Sequence, residues 1–243
     1  MRTGPATTRR SLAGLAVIDA LAVLLVAALL GLGTWQLHRR AWKLDLIARV
    51  EANAHGEPAA PPGPGAWPEI GERDAYRRLA LIGTYLTGRD TLVQAVTERG
   101  GGFWVLTPLR TRAGFTVLVN RGFVPERSAP PPPAGETALA GLLRLTEPGG
   151  AFLRTNNPAT DRWYARDVAA IAQARGLSAE PDGIAPYFVD AERSGEANPV
   201  GGLTVIRFRN DHLVYALTWY ALALMVAGGT LYLNVDAWRR RRP

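Results

Sequence analysis

An uncharged stretch near the C-terminus limits what this chain can fold into more than any other feature. From Leu213 to Val235, a run of 23 residues, no side chain is charged. A helix needs roughly 20 apolar residues to cross a bilayer. A second apolar run, residues 12–37, contains a single charge before its end, Asp19. We therefore expect two transmembrane helices, at residues 12–37 and 212–235, in contact with the lipid bilayer.

The first apolar run could instead be a cleaved signal peptide. It exceeds the usual 7–15-residue apolar core, and no Ala-x-Ala-like cleavage site follows Gly33. It passes directly into an interfacial aromatic residue, Trp35, and then into His38-Arg39-Arg40. The sequence favours a retained helix. Asp19 is close enough to the end of the span to be tolerated there.

Positive charge in the tails predicts the orientation of the two spans. Seven arginines lie in these tails: Arg2, Arg9, Arg10 and the run Arg239–Arg242. Cytoplasmic segments next to a span carry the excess of lysine and arginine, so residues 1–11 and 236–243 are predicted to be cytoplasmic tails. Residues 38–211 are then extracytoplasmic. Only eleven residues precede the first span, so we expect a multi-pass protein of the bacterial inner (plasma) membrane.

The region between the spans shows strand periodicity after a helical extension of the first span over residues 38–54. Predicted strands lie at residues 79–85, 91–96, 103–110, 115–119, 137–145, 187–189 and 203–208. One short helix is predicted over residues 168–175, capped by Asp167 and stopped by Gly176. Gly100-Gly101-Gly102 is interpreted as a turn, because a strand follows it and a phosphate loop needs a helix there. Asp161 and Asp190 are likewise interpreted as capping or turn residues. The predicted fold class is a membrane protein with two transmembrane helices flanking an extracytoplasmic α+β domain, mostly antiparallel sheet.

Several classes of function are excluded by composition. The chain has no cysteine, which excludes disulfides, thiolate catalysis and copper transfer by cysteine pairs. No serine lies in a Gly-x-Ser-x-Gly context, and no carboxylate pair has helical spacing beside a histidine. The basic charge is concentrated in the tails, and no basic stripe is interleaved with aromatic residues, so we expect no nucleic-acid partner. We expect that the protein is not an enzyme, with no catalytic residues.

Two histidines are the strongest candidates for cofactor binding. His38 and His212 each lie at the extracytoplasmic end of a predicted span, and imidazole is a good axial ligand for haem iron. The aromatic residues at the same predicted depth in the membrane are Trp35, Tyr215, Trp219 and Tyr220. An interfacial belt of amphipathic side chains explains all six residues without a cofactor. The residues alone leave both interpretations open.

Ordered sequence islands supply a further indication. They are Leu32-Gly33-Thr34-Trp35-Gln36-Leu37, Val117-Leu118-Val119-Asn120-Arg121-Gly122-Phe123-Val124-Pro125, Arg162-Trp163-Tyr164, Pro186-Tyr187-Phe188, and Asn210-Asp211-His212-Leu213 followed by Tyr215-Ala216-Leu217-Thr218-Trp219-Tyr220. In this order and spacing they resemble the Surfeit locus protein one family, membrane-bound factors for cytochrome c oxidase biogenesis. Asp211 departs from the family, which more often has a second asparagine there, and Phe123 stands where the family more often has tryptophan.

The resemblance implies a role in maturing the haem-bearing oxidase subunit. It also implies that haem a binds transiently through the motif histidine, which is His212 here. The resemblance says nothing of His38, whose assignment as a haem ligand rests on its position alone. Asp211 could raise the basicity of that ligand or simply be solvated. The expected partners are the cytochrome c oxidase subunit that carries haem a and, as a further candidate, haem a synthase. The alternative is a structural membrane chaperone that binds no haem. An enzyme of haem modification is favoured least.

Overall fold

The computed structural model describes residues 12–151, 154–177, 183–193, 198–204 and 210–240. The predicted tail 1–11, the last three residues and most of the predicted strand 203–208 lie outside these ranges. Two compact units divide the chain. One comprises residues 1–47 and 207–243, and the other comprises residues 48–206. We call the first the helix pair and the second the β domain.

Two long helices, α1 (Leu12–His55) and α3 (His212–Arg239), lie at the two ends of the described chain. Both are long and apolar enough to cross a membrane. The prediction that the first helix continues beyond residue 37 is confirmed, since α1 runs without a break to His55. The boundary between the two units falls within α1, at residues 47 and 48, so the helix is common to both.

The least exposed positions of the helix pair follow a seven-residue repeat. On α1 they include Leu15, Asp19, Ala22, Val26, Leu29, Gly33, Gln36 and Arg40, and on α3 His212, Ala216, Trp219, Ala223, Val226, Thr230, Leu233 and Ala237. Alternating steps of three and four residues keep one stripe of a helix against its partner. Asp19 contacts Asn234 and Gln36 contacts His212, so the two helices run antiparallel.

The β domain is built on a six-stranded sheet with the order β1-β5-β8-β4-β3-β2, in which β1 also pairs with β3. Its strands are β1 (Arg78–Tyr85), β2 (Thr91–Thr97), β3 (Gly100–Thr111), β4 (Thr116–Val124), β5 (Glu136–Leu145) and β8 (Ile184–Ala191). Two-residue strands β6 (Gly150–Ala151) and β7 (Arg154–Thr155) form a separate ribbon, and helix α2 spans Val168–Ala174. Every pairing is antiparallel except that of β4 with β8. A sheet-rich domain flanked by two apolar helices is therefore confirmed.

Apolar side chains are buried on both faces of the sheet. One cluster gathers around Leu79, Phe115 and Tyr187. The other places α2 and Trp163 against the sheet, with Ile171 fully buried. Strand β4 lies between β3 and β8 and is buried at all nine positions, as expected for a central strand covered on both sides.

Two local predictions are wrong. The turn before β3 is formed by Glu98 and Arg99, whereas the three glycines begin the strand itself. A Cβ atom on Gly102 would lie 2.4 Å from the carbonyl oxygen of Val124, so close strand packing requires glycine there. Asp190 is a buried residue of β8 and caps no helix or turn. The predicted capping role of Asp167 is confirmed, because its Oδ1 accepts a hydrogen bond from the amide of Ala170 at 3.1 Å.

Candidate functional site

His212 is the first residue of α3 and lies on the stripe that faces α1. Asp211 holds the N-cap position, but its side chain makes no capping hydrogen bond. The side chain of His212 is partly buried. The ring is therefore neither free in solvent nor sealed inside the protein.

A hydrogen bond to Gln36 fixes the state of the His212 ring. The distance between His212 Nδ1 and Gln36 Oε1 is 2.7 Å. An amide oxygen only accepts hydrogen bonds, so Nδ1 must carry the proton and donate it. In the neutral ring the lone pair then lies on Nε2, and no described residue hydrogen-bonds that atom. A histidine held through one nitrogen presents the other as a ligand, as at many metal centres.

Gln36, rather than Asp211, is the partner that the structure gives to His212. The sequence offered a carboxylate next to the histidine as the candidate for raising its basicity, whereas the amide that contacts Nδ1 comes from 176 residues earlier in the chain. Gln36 belongs to one of the sequence islands, but its link to His212 required the pairing of the two helices. Helical periodicity alone places Gln36 on a face and does not give its partner.

One helical turn from Gln36, the two helices approach closely. A Cβ atom on Gly33 would lie 2.6 Å from the ring of Tyr220, so a larger residue would require that ring to move from its present position. Thr34 Oγ1 and the hydroxyl of Tyr220 lie 3.1 Å apart. Small residues that admit close packing and polar pairs that bridge helices are typical of membrane helix interfaces. These contacts hold the register that brings Gln36 to His212.

His38 lies on a different face of α1 from Gln36. Two residues along an α-helix correspond to a rotation of about 200°, and the side chain of His38 is exposed. The structure therefore does not bring His38 to the Gln36–His212 pair. His38 as a haem ligand remains a prediction, but a haem shared with His212 of the same chain is not what this arrangement favours.

The aromatic residues near His212 divide into two groups. Trp35 and Tyr215 are more than half exposed. Trp219 and Tyr220 are partly buried in the helix pair. The exposed rings fit an interfacial belt, whereas the partly buried rings lie beside the seam that carries His212.

The far end of the helix pair carries a second polar contact. Asn234 Nδ2 donates a hydrogen bond to Asp19 Oδ1 at 2.7 Å, and Asn234 also bonds the carbonyl of Thr230. The expectation that Asp19 is merely tolerated near the end of its span is too weak, because its carboxylate bridges the two helices.

Among the described residues of the β domain, one carboxylate is deeply buried: Asp190, which is 3% exposed. It accepts hydrogen bonds from Asn120 Nδ2 at 2.7 Å, Arg144 at 2.7 Å, Arg166 at 3.4 Å and Thr204 Oγ1 at 2.9 Å. Two guanidinium groups and two neutral donors satisfy the carboxylate, so it can remain charged inside the fold. Asn120, a polar residue directly after the apolar run of β4, is the sequence feature that could have indicated this network.

Arg166 joins this network to Glu147. Burial alone would raise the pKa of Glu147, but hydrogen bonds and the charge of Arg166 outweigh it and hold that pKa below its usual range. Burial would lower the pKa of Arg166, and its hydrogen bond to Glu147 and the charge of Asp190 reverse that, so the pKa is raised. Each charged group of this network is paired with a group of opposite charge, which favours a structural role over a catalytic one.

Comparison with known proteins connects this chain to a family. The SURF1 family model matches residues 23–224. Surfeit locus protein 1 of Homo sapiens is 36% identical over 238 residues, covering 88% of this chain and 75% of that protein. Surfeit locus protein 1 of Mus musculus is 35% identical, covering 91% and 76%. A SURF1-like protein of Monosiga brevicollis is 35% identical, covering 84% of this chain and 82% of its own.

Proposed function

The chain belongs to the SURF1 family, and we propose that it is an assembly factor for cytochrome c oxidase that carries haem a transiently. The protein would bind haem a through His212 and assist its insertion into the oxidase subunit that receives it. Haem a synthase is the proposed source of the cargo. In this role the protein is not an enzyme, because haem a leaves chemically unchanged.

The observation that carries the proposal is the hydrogen bond between His212 and Gln36. It places the proton on Nδ1 and leaves the lone pair of Nε2 available at the start of a long apolar helix. Haem iron bound to a protein takes an axial histidine of this kind. A single neutral imidazole with a neutral amide partner suits a carrier that must release its cargo, since an anionic partner would strengthen the ligand further.

We propose a bacterial inner membrane as the location, with residues 12–37 and 212–235 as the spans. Support comes from the length and apolar composition of α1 and α3 and from the seven arginines of the tails. Residues 38–211 are then extracytoplasmic. A reporter active only outside the cytoplasm should work when inserted between residues 130 and 135 and fail after residue 243; the opposite pattern would overturn the orientation.

The test of haem binding uses His212→Ala in cells that also produce haem a. The purified variant should lose most of its haem absorption, because water replaces an axial imidazole poorly in an apolar setting. Gln36→Leu keeps the ligand and removes the atom that fixes its tautomer, so the affinity for haem should fall about 10- to 100-fold, less than for His212→Ala. His55→Ala is the matched control, because His55 is exposed and, within the described residues, its ring bonds its own helix at the carbonyl of Glu51.

His38→Ala distinguishes one histidine ligand from two. An unchanged spectrum would assign the second axial ligand to another source, such as a second copy of the protein. If His212→Ala keeps its full haem content with an unaltered spectrum, the cofactor assignment is wrong and a structural chaperone is favoured. Loss of the gene should lower active oxidase while bulk haem synthesis continues, and normal oxidase activity in a strain with no second copy would count against both roles.

A further inference from the structure

A pocket of about 500 Å³ opens on the β domain, away from the Asp190 network. Its walls come from β2, the start of β3, β7, Arg127 after β4, and residues 161–164, which follow the 3-10 turn Pro158–Thr160. The lining residues are Leu92, Gln94, Phe103, Arg127, Arg154, Asp161, Arg162, Trp163 and Tyr164. We call it the arginine pocket, since three of these nine side chains are guanidinium groups and one is a carboxylate.

The single carboxylate of the pocket is already engaged. Asp161 Oδ1 accepts a hydrogen bond from Trp163 Nε1 at 2.8 Å and is also bound by Arg175. Its other oxygen lies 3.3 Å from Arg127. The acidic residue thus balances Arg127 and Arg175, and within the described residues neither of the other two arginines of the pocket has a carboxylate partner.

Arg154 and Arg162 are the two cations left over. The Nη1 atom of Arg154 donates to a neutral acceptor, Gln94 Oε1, at 2.8 Å, and its guanidinium lies 5.4 Å from the centre of the Tyr164 ring. The side chain of Arg162 is exposed and makes no hydrogen bond or ion pair with any residue in the described ranges. Arginine binds carboxylates through two parallel hydrogen bonds, so both groups are suited to an acidic ligand.

The pocket also borders the outer edge of β2. The amide of Gln94 donates to the carbonyl of Trp163 at 2.8 Å, an isolated contact at the middle of the strand. Beyond it, Val96 is 88% exposed. A small-molecule pocket is lined predominantly by apolar side chains, whereas this one combines arginines and aromatic rings, the residues enriched at protein interfaces.

We propose that the arginine pocket binds an extended acidic segment of a partner protein, with its carboxylates on Arg154 and Arg162. Recognition of acidic motifs by arginine clusters is a recurring mode of peptide binding. The aromatic walls would contact the segment between its charges. This inference does not rest on haem binding by His212.

The test measures binding of a synthetic peptide to the full-length protein in detergent. The probe is a dye-labelled nonapeptide with glutamates at three alternate positions, which lie on one side of an extended chain. Its partner probe replaces the three glutamates by glutamines. Fluorescence anisotropy should show saturable binding of the acidic peptide alone. The double variant R154Q/R162Q should weaken it by about 10-fold or more, since two charge-assisted contacts are lost.

The matched control is R99Q/R193Q, which removes two exposed charges of the same domain outside the pocket. It should change the affinity less than about 2-fold, as expected for screened surface charges. Equal loss in both double variants would show general attraction to a basic protein and overturn the proposal. Full competition by millimolar inorganic phosphate would also overturn the proposal, because it indicates a small-anion site. A third contrary result would be that the wild type binds anionic phospholipid vesicles better than R154Q/R162Q does and binds no peptide.

Discussion

In the helix pair most of the large apolar side chains are exposed, whereas in the β domain they fill the interior. Leu24 and Leu231 are 68% and 66% exposed, while Leu81, Leu106 and Val117 of the sheet are fully buried. Polar contacts show the reverse arrangement. The helix pair places Asp19, Gln36 and His212 on its seam, whereas the β domain keeps most charges near its surface, Asp190 being an exception.

Lipid around the helix pair and water around the β domain would account for the difference. A helix pair with apolar flanks gains little from bringing more apolar groups together if lipid surrounds it, so close packing and polar bridges specify its register. The β domain in water gains stability from apolar burial. A buried charge there must be balanced by partners, and Asp190 has four donors. Breaking one contact of each kind tests this contrast.

Asp190→Ala should have the largest effect. The substitution leaves the guanidinium groups of Arg144 and Arg166 partly buried without their shared carboxylate, and breaking a buried ion pair costs about 3 kcal/mol or more. Denaturant unfolding of the β domain, followed by near-ultraviolet circular dichroism, measures the loss. Glu136→Gln breaks an exposed pair with Arg112 and should cost much less, because water screens the two charges. Equal costs would contradict a special role for burial.

Gly33→Ala should have the next largest effect, and that effect should be confined to the helix pair. The added methyl group would meet the Tyr220 ring, and overpacking costs about 1–3 kcal/mol. The chain lacks cysteine, so spin labels can be placed at L25C and L224C, and the distance between them should lengthen and broaden. Gly31→Ala is the control, because a Cβ there meets nothing within 4 Å. The same change in both variants would rule out the close approach as the cause.

Asp19→Ala should cost less, about 0.6 kcal/mol, the average for polar contacts between membrane helices. It removes the acceptor for Asn234 Nδ2. Asn234→Ala should cost a similar amount, and the double variant should cost less than the sum of the two because the contact is lost only once. Strict additivity in this double-mutant cycle would mean that the bridge contributes nothing to the helix pair.

Acid should weaken the β domain slightly through Glu147. Its pKa is lowered in the folded protein, so the unfolded state binds its proton more readily. The contribution is present above the ordinary glutamate pKa of about 4.3 and is lost as pH falls through the folded value. The effect is small because the carboxylate is partly open to water, which screens the pair. Glu147→Gln should flatten the pH dependence of unfolding below about pH 5; an unchanged slope would assign it to other carboxylates.

Sequence patterns predicted the strands unevenly. Apolar alternation gave β1 and β2 to within a residue or two, because each has one face that is buried and one that is exposed. Strand β4 was predicted to end at Val119, whereas it continues to Val124. Alternation fails where a strand is covered on both faces and where Asn120 and Arg121 interrupt the apolar run. Their burial is possible only because donors and acceptors from distant segments surround them.

The amino-acid sequence by itself determined the two apolar helices, the sheet-rich domain between them and the family, because periodicity, length and ordered islands are local properties of the chain. Only the tertiary structure decided that His212 pairs with Gln36, while His38 lies on a different face of α1. It also decided that Asp190 is a buried carboxylate that accepts hydrogen bonds from several segments. The physical reason is that a side chain's hydrogen-bond partner depends on which elements pack together. Residues 36 and 212, or 120 and 190, come into contact only when the chain has folded.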